Sequence, residues 1–219
     1  MNKEFWLNKW KIKQIGFHRS QPNPALVSYC SLLGLPKGSR VFVPLCGKTL
    51  DIAWLLQQGY QVVGVELSEV AVNELFEELN VVPTQTKQGQ LIHFHSPALE
   101  IFVGDLFDLS RAHLGAVDAL YDRAALVALP LEMRKRYTQH LLKITDCSPQ
   151  LLLCFEYDQS LISGPPFSIT EQEVVMHYQT EMKIEHVETQ DVEGGLKKTY
   201  PARQHIWLLT PRKNTSEHT

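Results

Sequence analysis

The chain has 219 residues, 44% of them hydrophobic, and carries a formal net charge of -3 at a pI of about 6.3. That length suits one well-buried α/β domain, and the small charge leaves no electrostatic footprint for nucleic acid or an anionic membrane. No apolar run approaches the roughly 20 residues that span a bilayer, and the start MNKEFWLNKWKIK lacks the apolar core of a signal peptide, so a cytoplasmic monomer is expected.

Taken in chain order, FWLNKWKI predicts a helix with Trp6 and Trp10 on one face. IGFHRSQPNP breaks it, and ALVSYCSLLGL is a second amphipathic stretch. RVFVP (40–44) reads as a short apolar strand. Thr49 can N-cap a helix running to about Gln58, with Gly59 just past its end. QVVGVE (61–66) is a second strand, and Ser68 an N-cap for EVAVNELFEELN. LIHFHS and LEIFVG, separated by a turn at Pro97, are extended segments. A strand ending at Asp122 precedes the helix LEMRKRYTQHLLKI, whose EMRKRY run reads as a solvated face, and then the strand QLLLCFEY. A Gly-Pro-Pro loop, a helix near 171–179 and the strands MKIEHVE and HIWLLT close the chain, the last two as an antiparallel edge through Gly194 and Gly195. Apolar strands interleaved with amphipathic helices predict a mostly parallel, doubly wound sheet with helices on both faces. We read one domain over residues 1–211, residues 1–35 forming an N-terminal cover, and a disordered tail at 212–219.

Cys30, Cys46, Cys147 and Cys154 form no C-x-x-C pair, so reduced, mostly buried thiols are expected. His93 and His95 alternate on one strand face, a spacing metals can use, but no Cys, Asp or third His accompanies them nearby. No metal is expected.

Open parallel sheets bind ligands at the carboxyl ends of their strands. PLCGKT lies there after the first strand, and Glu66 ends the second, where an acid can accept hydrogen bonds from ribose hydroxyls. GKT (47–49) satisfies the second half of a phosphate-binding loop. The first glycine of that motif would fall at Phe42, and Pro44 removes an amide donor. The G-x-G-x-x-G of a dinucleotide fold is also absent. S-adenosyl-L-methionine has no phosphate, and a site for it needs room for a methionyl group and an adenosine, which one glycine and Leu45 can provide.

WLNKW, IGFH, VPLCGKTLD, GVELS, LYDRAAL, LP-x-x-M-R and GPPF occur in an order that resembles the bacterial thiopurine S-methyltransferase family, from Phe5 to about Thr210. The resemblance implies a class I S-adenosylmethionine-dependent methyltransferase (Rossmann-like) fold, with a seven-stranded sheet and an N-terminal helical lid. It implies donor contacts at Trp10, Leu45, Glu66 and Arg123, with Trp6, Asp105 and Leu106 at neighbouring donor positions, and Phe17 facing the acceptor. The acceptor it implies is a small thiol, thiopurine or other aromatic or heterocyclic species, with selenium or tellurium compounds as further candidates.

The residues keep alternatives open. Leu45 is a donor contact or plain core, and Asp105 meets the adenine amino group or caps a helix. Trp10 faces a sulfonium-like cation or simply packs. Gly16 is the expected hinge of a lid walled by Phe17, and His18 is a base or a neutral structural histidine. Arg123 contacts the donor and lowers the pKa of an approaching thiol, or pairs with Asp122 or Asp118. Lys197, Lys198 or Arg203 could supply a further cation to the acceptor. Two rival functions stand beside transfer: a P-loop-like ATPase or kinase using GKT, and a non-catalytic S-adenosylmethionine-binding protein.

Overall fold

The computed structural model describes residues 3–212. Its strands are β1 (Arg40–Pro44), β2 (Gln61–Glu66), β3 (Thr84–Gln88), β4 (Leu91–His95), β5 (Leu99–Val103), β6 (Ala119–Arg123), β7 (Gln150–Glu156), β8 (Met182–Asp191) and β9 (Arg203–Pro211). Its helices are α1 (Lys3–Lys11), α2 (Pro24–Tyr29), α3 (Leu50–Gln57), α4 (Glu69–Glu78), α5 (Arg111–Leu114), α6 (Leu131–Thr145) and α7 (Glu171–Tyr178). The strands form one sheet in the order β3-β4-β5-β2-β1-β6-β7-β9-β8. β5, β2, β1, β6 and β7 are parallel neighbours. β9 runs antiparallel between β7 and β8, as the closing strands predict.

Local chemistry sets the element ends. The Thr49 side chain accepts from the amide of Asp51 to start α3, and that of Ser68 accepts from Ala71 to start α4. Gly59 follows α3 with a φ of 88°, the left-handed stop that glycine adopts without strain. Alternation along the strands then divides the core. Val41 and Val43 of β1 pack with α2, α3 and α4 on one face, while Phe42 packs with α5, α6 and α7 on the other. The cysteines are free, with Cys30, Cys46 and Cys154 buried. Gly64 in β2 leaves the space Cys46 uses, since a Cβ there would lie 2.8 Å from its Sγ.

Two expectations change. Among the described residues nine strands are present where seven were implied, because the edge carries an antiparallel β3–β4 hairpin beyond β5. β3 is TQTKQ, without one apolar residue and almost wholly exposed, so no hydrophobic period marks it. The EMRKRY run is not simply a solvated face. Arg134 is 4% exposed, donates through Nε to the carbonyl of Leu129 and grips both oxygens of Glu173 at 2.6 and 2.7 Å. α6 thus uses a charged side chain to hold α7. Arg212, where the tail was expected to begin, donates to the carbonyls of Glu181 and Gln179, and residues 213–219 lie outside the described residues.

Removing one partner of a buried pair strands the other charge, at a cost of about 3–5 kcal/mol. Glu173→Ala is therefore expected to destabilise the protein by about 3 kcal/mol in urea unfolding. A loss below about 1 kcal/mol would mean water solvates Arg134 after all.

Candidate functional site

The parallel strands end along one edge of the sheet, where four turns converge: Pro44 to Gly47 after β1, Glu66 to Ser68 after β2, Gly104 to Leu106 after β5, and Asp122 to Ala124 after β6. The first two are joined by one side chain. Glu66, 6% exposed, accepts from the Gly47 amide at 2.8 Å through Oε2 and from the Ser68 amide at 2.8 Å through Oε1. Burial pushes its carboxyl above the usual range, while the amides of Ser68, Gly47 and Leu67 oppose that rise. Leu45 (φ 47°) and Ala124 (φ 64°) are held left-handed beside these strand ends, a conformation that costs a non-glycine residue about 1–3 kcal/mol and concentrates at functional sites.

The phosphate-loop features of GKT are all engaged elsewhere. The Gly47 amide faces a carboxylate rather than open space. Lys48 pairs with Glu74 at 3.1 Å and with Glu78 on α4. The Thr49 hydroxyl accepts from the α3 amide of Asp51 at 3.3 Å. A carboxylate occupies the position where such a loop would receive an anion, and like charge excludes phosphate from it.

Beside Glu66 lies an apolar cleft of about 50 Å³, walled by Leu45, Leu67, Leu106 and Met133 over Gly104, with Lys3 and Asp105 at its rim. Leu67 and Met133 carry no sequence signal that separates them from ordinary core. Asp105 caps the turn after β5, accepting from the Phe107 amide at 3.0 Å through Oδ1, and pairs with Lys3 at 2.7 Å through Oδ2. Although burial works against it, Lys3 and that amide hold the Asp105 carboxyl below its usual range. The capping role is thus present, and the second oxygen belongs to the N-terminal helix.

That helix crosses the cleft. Lys3 ties its start to Asp105, and Lys13, just past its end, pairs with Glu74 of α4. Trp10, 3% exposed, lies against Gly47 so closely that a Cβ there would be 2.7 Å from the indole Cζ2. Trp6 stays half-buried. The Phe17 ring meets both indoles edge-on, at 5.7 Å from Trp6 and 5.5 Å from Trp10. Gly16 makes no demand that only glycine meets, having open space around it and no left-handed φ. Burial, then the charge of Lys48, hold His18 below the usual histidine range, which keeps it neutral near pH 7.

Arg123 and its neighbour part company. Asp122 is fully buried and accepts from the Tyr137 hydroxyl at 2.7 Å and the Leu126 amide at 3.2 Å. Asp118 accepts from the Arg40 amide at 2.7 Å. Neither acid pairs with Arg123, whose Nη2 donates to the Phe17 carbonyl at 3.4 Å. Arg203 pairs with Glu156 at 2.9 Å on a cleft of about 800 Å³ between the end of β7 and the β8–β9 connection. Lys197 and Lys198 are exposed in that connection. The structure therefore brings Trp6, Trp10, Phe17, Leu45, Glu66, Asp105, Leu106 and Arg123 around one edge, while Arg203 is engaged by Glu156 at the end of β7.

The family model described as thiopurine S-methyltransferase matches residues 1–207. A thiopurine S-methyltransferase of Xanthobacter autotrophicus is 52% identical over 210 residues, covering 95% of this chain and 99% of that protein. One of Acinetobacter baylyi is 44% identical over 216 residues, covering 97% of this chain and 100% of that protein. Among solved structures, a Burkholderia thailandensis 1,6-didemethyltoxoflavin-N1-methyltransferase with bound S-adenosylhomocysteine is similar at a TM-score of 0.65 and 15% identity, covering 95% of this chain and 87% of that one. The Synechocystis magnesium protoporphyrin IX methyltransferase with bound S-adenosylmethionine is similar at a TM-score of 0.64 and 17% identity, covering 95% and 97%. At these identities the structural likeness establishes the fold.

Burial raises the Asp122 carboxyl from 3.8 to about 6. The folded state then holds a proton the unfolded chain has lost, so this group's contribution to stability falls as pH rises from about 4 to about 6 and is level above. At 1.36 kcal/mol per unit the change is about 3 kcal/mol. Asp122→Asn removes that dependence, so the stability difference between wild type and variant is expected to shift in the variant's favour across this window. A difference that stays flat from pH 4 to 7 contradicts the assignment. Gly47→Ala is expected to displace the Trp10 indole, read as a red-shifted, more quenchable tryptophan emission, because both its φ of 53° and its contact forbid a Cβ.

Proposed function

Because the chain belongs to the thiopurine S-methyltransferase family, we propose that it transfers the methyl group of S-adenosyl-L-methionine to the sulfur of a thiopurine or another aromatic or heterocyclic thiol. We propose further that it does so as a cytoplasmic monomer with residues 1–35 as its cover. The observation that carries this reading is the Glu66 carboxylate seated where a nucleotide-binding loop would seat a phosphate. It disfavours an ATPase or kinase and suits a ligand that offers hydroxyls and a positive charge. Among the described residues no helix is long and apolar enough to cross a membrane.

The residues fit this donor. Oε2 of Glu66 accepts the Gly47 amide and Oε1 the Ser68 amide, and the carboxylate retains lone-pair capacity for a ribose hydroxyl. Leu45, Leu67 and Leu106 offer apolar walls to a purine, and the aromatic faces of Trp10 and Phe17 suit a cation. S-adenosyl-L-methionine supplies an electrophilic methyl group on a positively charged sulfur. The chain's own task is then to orient, desolvate and stabilise. Orientation of two reactants can remove about 7–11 kcal/mol of a barrier, and no residue is assigned as an obligatory general base. Arg123 is assigned an electrostatic role, its guanidinium favouring the thiolate form of an acceptor that reaches the Phe17 side of the cleft. Selenium and tellurium acceptors share that soft nucleophilic chemistry.

The cleft holds about 50 Å³ as it stands, whereas sites for ligands of this size occupy about 300–1,000 Å³. Entry therefore requires the cover to move, with Lys3 leaving Asp105.

Calorimetric titration is expected to give binding of S-adenosylhomocysteine and none of ATP with magnesium, with Glu66→Ala weakening the former by at least about tenfold, or 1.4 kcal/mol. Tight ATP binding would overturn the reading. Binding without turnover on any thiol, selenium or tellurium acceptor would favour the non-catalytic rival. Arg123→Ala is expected to lower turnover of a thiol by at least about tenfold and to move its pH profile upward. Unchanged turnover would remove the electrostatic role.

A further inference from the structure

On β4 and β5, ahead of the donor cleft that begins past the end of β5, strand pairing brings a cluster together. His93 and His95 share one face of β4, and the register sets Glu100 opposite His95 and Phe102 opposite His93. The missing third ligand is thus supplied across the Pro97 turn. We propose that His93, His95 and Glu100 form a binding site for one zinc-like divalent transition ion at the sheet edge.

The donor set is two imidazoles and one carboxylate, which suits zinc and its late first-row neighbours rather than magnesium or calcium. A tetrahedral ion with bonds of about 2.0–2.1 Å keeps its ligand atoms about 3.3 Å apart. His93 Nε2 lies 2.9 Å and His95 Nδ1 3.9 Å from the same Glu100 oxygen, Oε2, and one atom of each residue falls within 4.8 Å of the others. The His95 side chain, 51% exposed, is free to rotate by the small amount needed and opens the fourth position to water.

The surroundings already orient two of the ligands. The His93 ring stacks on Phe102 at 4.4 Å and 7° between planes, and its Nδ1 meets the Gln88 amide at 3.2 Å. Arg40 donates to Oε1 of Glu100 at 3.0 Å, leaving Oε2 to the ion. Burial holds His93 below its usual range despite Glu100, so it enters the site neutral. When Nε2 of His93 takes the ion in place of Glu100, its single proton moves to Nδ1, and the Gln88 amide turns its carbonyl to that Nδ1–H. The Arg40 charge lowers affinity below that of an unpaired carboxylate site.

Glu100 stands near the start of β5, whereas the donor cleft begins past its end. The ion is therefore a clip between β4 and β5 rather than part of methyl transfer, and this inference stands apart from the proposed function.

Chelator-treated protein titrated with zinc chloride is expected to bind one equivalent. Loss of an orienting neighbour costs such sites about 10–100-fold. Gln88→Ala is expected to fall in that range, and the exposed His95→Gln to exceed it. Cobalt in place of zinc should give the strong visible bands of a tetrahedral ion in wild type and not in His95→Gln. Absence of binding, equal binding by His95→Gln, or binding lost instead in His186→Gln, which disrupts the separate His186–His205 pair, would each overturn the proposal.

Discussion

The site depends on burying one carboxylate between two loop amides. Taking Glu66 out of water costs several kcal/mol, offset by hydrogen bonds to charge of about 1.5–3 kcal/mol each from Gly47 and Ser68. The consequence is geometric. The turn after β1 is drawn onto the turn after β2, Leu45 and Gly47 are held left-handed, and the Gly47 surface becomes the seat of Trp10. Lys48 is left to pair with α4, and Glu74 there also receives Lys13 from the end of the N-terminal helix. Loop shape and the seat and anchor of the N-terminal helix follow from the same acid.

The opposite wall is organised by contrast between adjacent residues. Asp122 turns into the core, satisfied by Tyr137 and the Leu126 amide, while Arg123 turns to the edge and meets the Phe17 carbonyl at a long 3.4 Å. A strand end sends alternate side chains to opposite faces. Here that alternation separates a buried acid, pushed toward neutrality, from a cation at the edge. Asp105 is shared between a cap and the ion pair with Lys3 of the N-terminal helix.

Much of the frame is legible in the chain because its signals are local. Thr49, Ser68 and Gly59 mark helix ends through hydrogen bonds and φ angles that involve only near neighbours, and the alternation in RVFVP already divides the two faces of the core. Glu66 announces itself by its offset from a strand-to-helix loop. The missing glycines at Phe42 and beyond already argue against phosphate, and the geometry adds the reason the loop rejects it.

What escapes the sequence is whatever depends on register or on distant neighbours. Leu67 and Met133 look like ordinary core until the strand ends converge. The strand TQTKQ has no apolar period and exists because β4 offers it an edge. Arg134 lies in a run of charges, yet Glu173, 39 residues away, makes it interior. Glu100 joins His93 and His95 only because antiparallel pairing fixes which side chains share a face. Periodicity and caps, decided over a few residues, determined the elements and the cofactor edge. Long-range pairing, which fixes what each charge meets and whether water reaches it, decided which charged residues are core, which hold the N-terminal helix and which stay at the edge.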